Sequence, residues 1–299
     1  MLFNKFIPYS VFFYRNFRQC SAATKSVIQN GIYLDTRKIG ERKVINPKWT
    51  LKNGNGSLRI EKIDEKDFDL IAKFYNYQFV QSGNIWKAID AKYEDTEGLI
   101  LNALSIPIKQ PLSYAAFDKN ELVGICLNRL HKKDEISKLF GGKLYDSNAK
   151  LCIKKDYAED ISNGPYNHNG NRIHVLLNEC LTQTGKFLPK DIQNLGYIKV
   201  TVIKEEYMRN GLFQYLFIES IKSFKENDCK YFIVFCSATA SAKMCKKMGM
   251  WSAFCFPYSK FKENGIPVFQ NLDDGADGVH LMMGKVDVAM KILEESRKK

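Results

Sequence analysis

The sequence predicts a mixed α/β fold, and three observations predict it. From Ser57 onward, short apolar or alternating runs trade places with longer runs whose apolar residues recur every three to four positions. The clearest series is a strand at 197–203, a helix at 212–226, a strand at 231–236 and a helix at 239–247, with Gly249 set to end the last one in a left-handed cap. The chain is also 45% hydrophobic and 26% charged, which suits a sizeable core, and it has no run of about 18 apolar residues that would cross a membrane.

Taken in order, residues 1–34 hold Lys5, Arg15, Arg18 and Lys25 and no acid before Asp35. On a helical wheel Leu2, Phe3, Phe6, Phe13 and Phe17 share one side, with Lys5, Arg15 and Arg18 away from it. Such a basic, acid-free start has the pattern of a mitochondrial targeting segment, although Pro8 interrupts it; the other reading is an unstructured leader on a cytoplasmic chain. Residues 36–56, with Asn46, Pro47, Gly54 and Gly56, read as a linker, so 1–56 is expected to be leader plus linker.

The run from Leu58 to Ile63 alternates and reads as a strand. Asp64 then caps a helix, with Asp67 three residues on in capping-box fashion, and Leu70, Ile71, Phe74, Tyr75 and Phe79 follow at helical spacing. A second helix is expected over 85–104, ending before Pro107. Apolar runs at 113–117 and 122–127 flank Asp118-Lys119-Asn120-Glu121, a hairpin signal. Residues 131–195 are irregular and polar apart from a helix at 172–184, and read as an insertion within one domain of 57–286. Strands at 251–256 and 278–284 follow, and a charged helix from Ala289 lies in a tail of 287–299.

The net charge is +12, which suits nucleic acid, an anionic membrane or a polyanionic cofactor. Lys and Arg are interspersed with acids, as in Lys132-Lys133-Asp134-Glu135, and no basic run reaches five residues, so no nucleic-acid partner is expected. The eight cysteines make no C-x-x-C pair, and several sit in apolar runs, as buried thiols of a reducing compartment do. No metal site is expected from them, and the spacing of His168 and His174 matches no metal motif.

The stretch that carries chemistry is the strand 198–203, the loop from Lys204 to Asn210, and Gly211-Leu212 opening a helix. A helix N-terminus offers unpaired backbone N–H groups and partial positive charge, which suits a diphosphate. Gly211 lets the backbone approach the phosphates, and Arg209 supplies a charged donor.

Over Ser57 to Val286 the chain resembles the GNAT superfamily of N-acyltransferases, in particular its arylalkylamine N-acetyltransferase-like branch. The matching pieces are Ile60 to Phe79, Leu122-Val123-Gly124, and Val202-Ile203 followed after five residues by Arg209-Asn210-Gly211-Leu212. Ser237 to Lys243, then Lys247-Met248-Gly249-Met250, then Tyr258-Ser259-Lys260-Phe261 and His280 complete the series.

The resemblance implies a three-layer fold: a mostly antiparallel mixed sheet with flanking helices, whose parallel strands at 197–203 and 231–236 splay apart. Coenzyme A would lie in the gap, with Val202, Ile203, Met208, Arg209, Asn210, Gly211, Leu212 and Phe213 against it. The implied reaction is transfer of an acetyl or other acyl group from acyl-CoA to a small primary amine by direct attack on the thioester. Ser241 is the foremost catalytic candidate, with Ser237 and His280 behind it; each has an ordinary structural reading as a helix cap or a strand histidine. Cys236 and Cys245 show no partner in the sequence that would activate them, and read as core.

The chain also departs from the family pattern. Met208 stands where Arg or Gln usually opens the loop, and Phe213 replaces a small residue. Gly83 falls where related enzymes carry a Glu base, and Ala240 where many carry a tyrosine acid. The alternative is therefore a catalytically degenerate acyl-CoA binder of the same fold. Monomer and homodimer are equally open.

Overall fold

The computed structural model describes residues 27–297 apart from 30, 55, 142 and 143. The stretch from Leu2 to Arg18 that reads as a targeting segment lies outside the described residues. The first elements are a small hairpin of β1 (Val27–Gln29) and β2 (Ile32–Leu34), then β3 (Val44–Thr50) and β4 (Ser57–Lys62). Helices α1 (Phe68–Ser82), α2 (Asn84–Ala88) and α3 (Tyr93–Leu104) follow, then the hairpin of β5 (Tyr114–Asp118) and β6 (Glu121–Lys132). Next come α4 (Lys133–Leu139), α5 (Ala158–Ser162) and α6 (His168–Thr182). The series foreseen from the sequence is β7 (Asn194–Ile203), α7 (Leu212–Glu226), β8 (Tyr231–Cys236) and α8 (Thr239–Lys247). The described chain ends with β9 (Trp251–Pro257), the tiny pair β10 (Lys262–Glu263) and β11 (Ile266–Pro267), β12 (Gly278–Lys285) and α9 (Val286–Arg297).

The main sheet runs β3-β4-β5-β6-β7-β8-β12-β9, and only the β7–β8 pair within it is parallel. One face packs on α1, α3 and α6 through residues such as Ile71, Phe74, Ile100 and Leu176. The other packs on α7, α8 and α9 through Leu216, Phe217, Phe224, Cys245 and Leu293. Sandwiching the sheet buries both of its faces, which is why β8 reads Tyr-Phe-Ile-Val-Phe-Cys rather than alternating with polar residues. No helix of the described residues is long and apolar enough to cross a membrane.

The local rules hold at several joints. Asp64 accepts from the Lys66 N–H at 2.9 Å and Asp67 accepts from the Asp64 N–H at 3.0 Å, which is the foreseen capping box. Gly249 has φ +78° after α8, and the Met250 N–H reaches back to the Cys245 carbonyl at 3.1 Å, closing the helix.

Four expectations differ. Residues 27–29 and 32–34, read as part of the leader, form the β1–β2 hairpin, and Leu34 of β2 pairs with Glu121 of β6. The stretch 131–195, read as irregular apart from a helix at 172–184, also holds α4 and α5, and its α6 begins earlier, at His168. Within 36–56, read as a linker, the structure has the edge strand β3, paired irregularly with β4 around Pro47. An edge position tolerates that proline because one side of the strand needs no partner. The helix expected over 85–104 is two helices, broken where Asp90 takes φ +48°.

A buried ionic cluster ties this N-terminal region to α1. The Arg42 guanidinium holds Asp35 at 2.7 Å, Asp67 at 2.7 Å and Glu61 at 3.0 Å, while Arg37 bridges Asp64 and Asp67 at 2.8 and 2.9 Å. Five of these six groups, all but Asp64, are buried, so loss of either arginine would leave buried acids short of counter-charge.

Candidate active site

The site begins with a defect in β7. Opposite β6, Leu127 pairs with Val200 and Asn128 with Ile198, so Lys199 is an extra residue, a β-bulge. Bulges bend a strand, and this one follows directly on the last rung of the β7–β8 ladder. That ladder has three pairs: Leu195 with Tyr231, Gly196 with Phe232 and Tyr197 with Ile233. Beyond Tyr197 the strands part, while β7 stays paired with β6 as far as Ile203 and β8 with β12 as far as Cys236. The result is a wedge open at the C-terminal ends of both strands.

Backbone groups line its edge. The Lys204 N–H donates to the Val123 carbonyl at 2.9 Å, and Val202 stands opposite Ile125. By the alternation of an antiparallel ladder, the N–H and C=O of Thr201 and Ile203 therefore point the other way, into the gap. Val202 belongs to the core on the α1 side and Ile203 to that on the α7 side, so both side chains anchor the edge.

The loop after β7 ends in an uncapped helix. Gly211, at φ +86°, is the N-cap of α7, and no side chain caps it. The first helical bond is from the Tyr215 N–H to the Gly211 carbonyl at 3.0 Å, which leaves the N–H groups of Leu212, Phe213 and Gln214 free for a ligand. Arg209 is held at φ +61°, and no partner engages its guanidinium among the described residues. Met208 is exposed; its N–H donates to the Glu205 carbonyl at 3.0 Å and its carbonyl accepts from the Asn210 amide at 3.2 Å. Asn210 is buried, and its Oδ1 accepts from the Asn53 N–H at 3.2 Å, so this side chain fastens the loop to the β3–β4 turn. Leu212 is buried against Gly124. The Phe213 ring stacks on Phe217 at 6.0 Å, along the helix and not across the turn.

Through that turn Lys52, which falls in the stretch read as a linker, reaches the site. Its side chain lies over Gly211, where a Cβ would meet Lys52 Cε at 2.7 Å and Nζ at 3.4 Å. Lys52 and Arg209 thus place two cations at the free end of α7.

At the far lip of the wedge, Ser237 follows β8. Its carbonyl accepts from the Asn84 amide and from the Tyr258 hydroxyl at 2.8 Å, and its own hydroxyl has no partner among the described residues. Ser241, one turn into α8, donates to the Ala238 carbonyl at 2.8 Å and also bonds the Cys236 thiol. Cys236 and Cys245 lie 3.6 Å apart, and the bonds from Cys245 and Ser241 hold the Cys236 thiol below its usual range. The sequence showed no such partners. Asp274, from the segment before β12, accepts from the Thr239 N–H at 2.8 Å and from Asn84, joining the α1–α2 junction to α8. His280 is on the far side of β8, one strand removed from the wedge, so the structure groups Ser237 and Ser241 at the lip and leaves His280 apart.

Gly83 closes α1, where a Cβ would stand 2.7 Å from the Phe79 carbonyl oxygen and 3.2 Å from the Trp86 ring. No side chain fits there. Ala240 is exposed in the first turn of α8. The bulge instead supplies Lys199, which is half-buried and has no partner among the described residues; burial, and then Arg129, bring its ammonium down to about 8.

A sheet that splays at its one parallel pair, above a helix N-terminus and between two helical layers, defines the GNAT N-acetyltransferase fold, and the chain has it. It is similar to arylalkylamine N-acetyltransferase 2 from Aedes aegypti, with a TM-score of 0.61 and 17% identity over 77% of this chain and 99% of that one. A polyamine N-acetyltransferase from Drosophila melanogaster matches with a TM-score of 0.59 and 12% identity over 76% and 99%. The putative arylalkylamine N-acetyltransferase 7 of the yellow fever mosquito matches with 0.58 and 13% over 85% and 99%. No protein-family model matches the chain, and no curated protein does.

Proposed function

We propose that this protein is an acyl-CoA-dependent N-acyltransferase that moves an acetyl or other small acyl group to a primary amine. The observation that carries the reading is the β7–β8 wedge, three rungs deep and then open, ending at an uncapped helix beneath Lys52 and Arg209. The pantetheine arm would take the place of a missing strand, bonding the Thr201 and Ile203 backbone groups. The diphosphate would meet the Leu212–Gln214 N–H groups and the two cations.

The amine must reach the thioester carbon unprotonated. Lys199 supports the role of proton acceptor by its place at the bulge, its lack of a partner and its depressed ammonium. The amine nitrogen forms the C–N bond, the C–S bond breaks, and the leaving thiolate takes a proton. Ser237, with a free hydroxyl at the lip, is the donor this reading favours over Ser241, whose hydroxyl is occupied; the proton that Lys199 took from the amine returns by way of solvent to restore the serine hydroxyl. Alignment of the two bound reactants supplies much of the rate.

Gly83 and Ala240 favour a second reading, an acyl-CoA binder without turnover, because neither offers an acid or a base. The similar structures, named for arylalkylamines and polyamines, support the choice of both as acceptors in one assay. Free thiol released from acetyl-CoA above background with any of these amines supports transfer. Thermal stabilisation by CoA without release supports the binder, and neither effect defeats both.

A further inference from the structure

Away from the wedge, β9 and β12 set Cys255 directly opposite His280, and Asp277 precedes His280 by three residues. One ligand atom from each lies within 4.8 Å of the other two, the one such trio of His, Cys, Asp or Glu among the described residues. The sequence hid it because Cys255 stands on a different strand, far along the chain from the Asp277–His280 pair.

Both ring nitrogens of His280 have neighbours that fix its orientation. Ser252 is brought beside it by a bulge at Ala253, since Leu281 pairs with Phe254 but Met282 with Ser252. The Ser252 hydroxyl donates to the Phe254 carbonyl at 3.1 Å, which leaves its lone pair facing His280 Nδ1 at 3.2 Å. His280 Nε2 stands 3.2 Å from an Asp277 carboxylate oxygen. The Cys255 sulfur is within reach of the same point, so a thiol, an imidazole and a carboxylate converge there.

We infer that Cys255, Asp277 and His280 form a zinc site that gathers the β9–β12 edge of the sheet. A tetrahedral zinc ion with bonds of about 2.0–2.3 Å spaces its ligand atoms roughly 3.3–3.7 Å apart, so the trio needs only a small closure. A thiolate, an imidazole and a carboxylate together select zinc over magnesium or calcium. Ser252 acts as the outer partner that fixes the imidazole. The Asp277 side chain is 82% exposed, which leaves a path for the ion and a fourth position for water. Asp274, three residues earlier, clamps α8 and Asn84, so the ion would also steady the lip of the wedge. The site is independent of the acyl-transfer reading.

The test is titration of the chelator-stripped protein with Zn(II) and, for spectroscopy, Co(II). One equivalent is expected to bind with a sulfur-to-cobalt charge-transfer band and to raise the melting temperature. Cys255→Ser and His280→Gln should each lose at least about ten-fold in affinity, and the serine variant should lose the band. Both must melt like the metal-free parent, and acetyl-CoA affinity, measured in parallel, reports separately on the wedge. Absence of a bound equivalent, or variants that bind as the parent does, overturns the site; so does an NMR spectrum in which His280 stays an imidazolium while zinc is present.

Discussion

The Lys52 side chain lies across Gly211, with Nζ only 3.4 Å from where a Cβ on that glycine would be. A strand edge that begins in an unpromising, Gly- and Asn-rich segment thereby delivers a cation to the N-terminus of α7.

Lys52→Glu is expected to weaken CoA binding by about ten-fold or more, since it replaces a charged donor with a repelling acid. Isothermal titration at two salt concentrations checks this. The loss should shrink as salt rises, because Lys52 is exposed and its field is screened.

Lys199→Met separates chemistry from packing by its pH dependence. With an ammonium brought down to about 8, kcat/KM should rise with pH and level off above that value, and the variant should lose this limb and about 10²-fold or more in rate. Stability gives an independent check. Below pH 8 the lysine is protonated in both states, while between pH 8 and about 10.4 only the unfolded chain keeps the proton. The unfolded state then binds more protons, so unfolding of the parent becomes harder as pH rises through that window. Urea melts at pH 7 and 9 should show this gain in the parent and none in the variant.

Gly83→Glu should fail to create a base. The Cβ would strike the Phe79 carbonyl, and overpacking of this kind costs about 1–3 kcal/mol. A drop in melting temperature without a gain in turnover is expected, and higher turnover would show that the α1–α2 junction yields.

Arg42→Met leaves Asp35, Glu61 and Asp67 buried with fewer counter-charges. A loss of about 3–5 kcal/mol in chemical denaturation is expected, with acetyl-CoA affinity little changed in the folded fraction.

The boundaries of α7, β8 and α8 were legible because punctuation and period agree there: Gly211 before the helix, Asp228 between the elements and Gly249 after them. The loop from Lys204 to Asn210 between β7 and α7 was legible too, although Asn210 turned out to grip the β3–β4 turn. What was not legible is what depends on distant pairing. Lys52 shows its place only once β3 lies beside β4. Lys199 reads as an ordinary strand residue until the register with β6 exposes it as the extra one. Composition misled over 36–56, since Asn, Gly and Pro suit both a linker and an irregular edge strand. Asn84 and Asp274, far apart in sequence, carry no signal that they meet at Ser237 and Thr239.

The wedge itself is tested most directly by amide hydrogen exchange with and without saturating acetyl-CoA. The amides of Thr201, Ile203 and Leu212 to Gln214 should exchange more slowly when the ligand is present, while those joining β12 to β9 keep their rates. Ligand that binds and leaves these five amides unchanged would contradict a cofactor seated between β7 and β8.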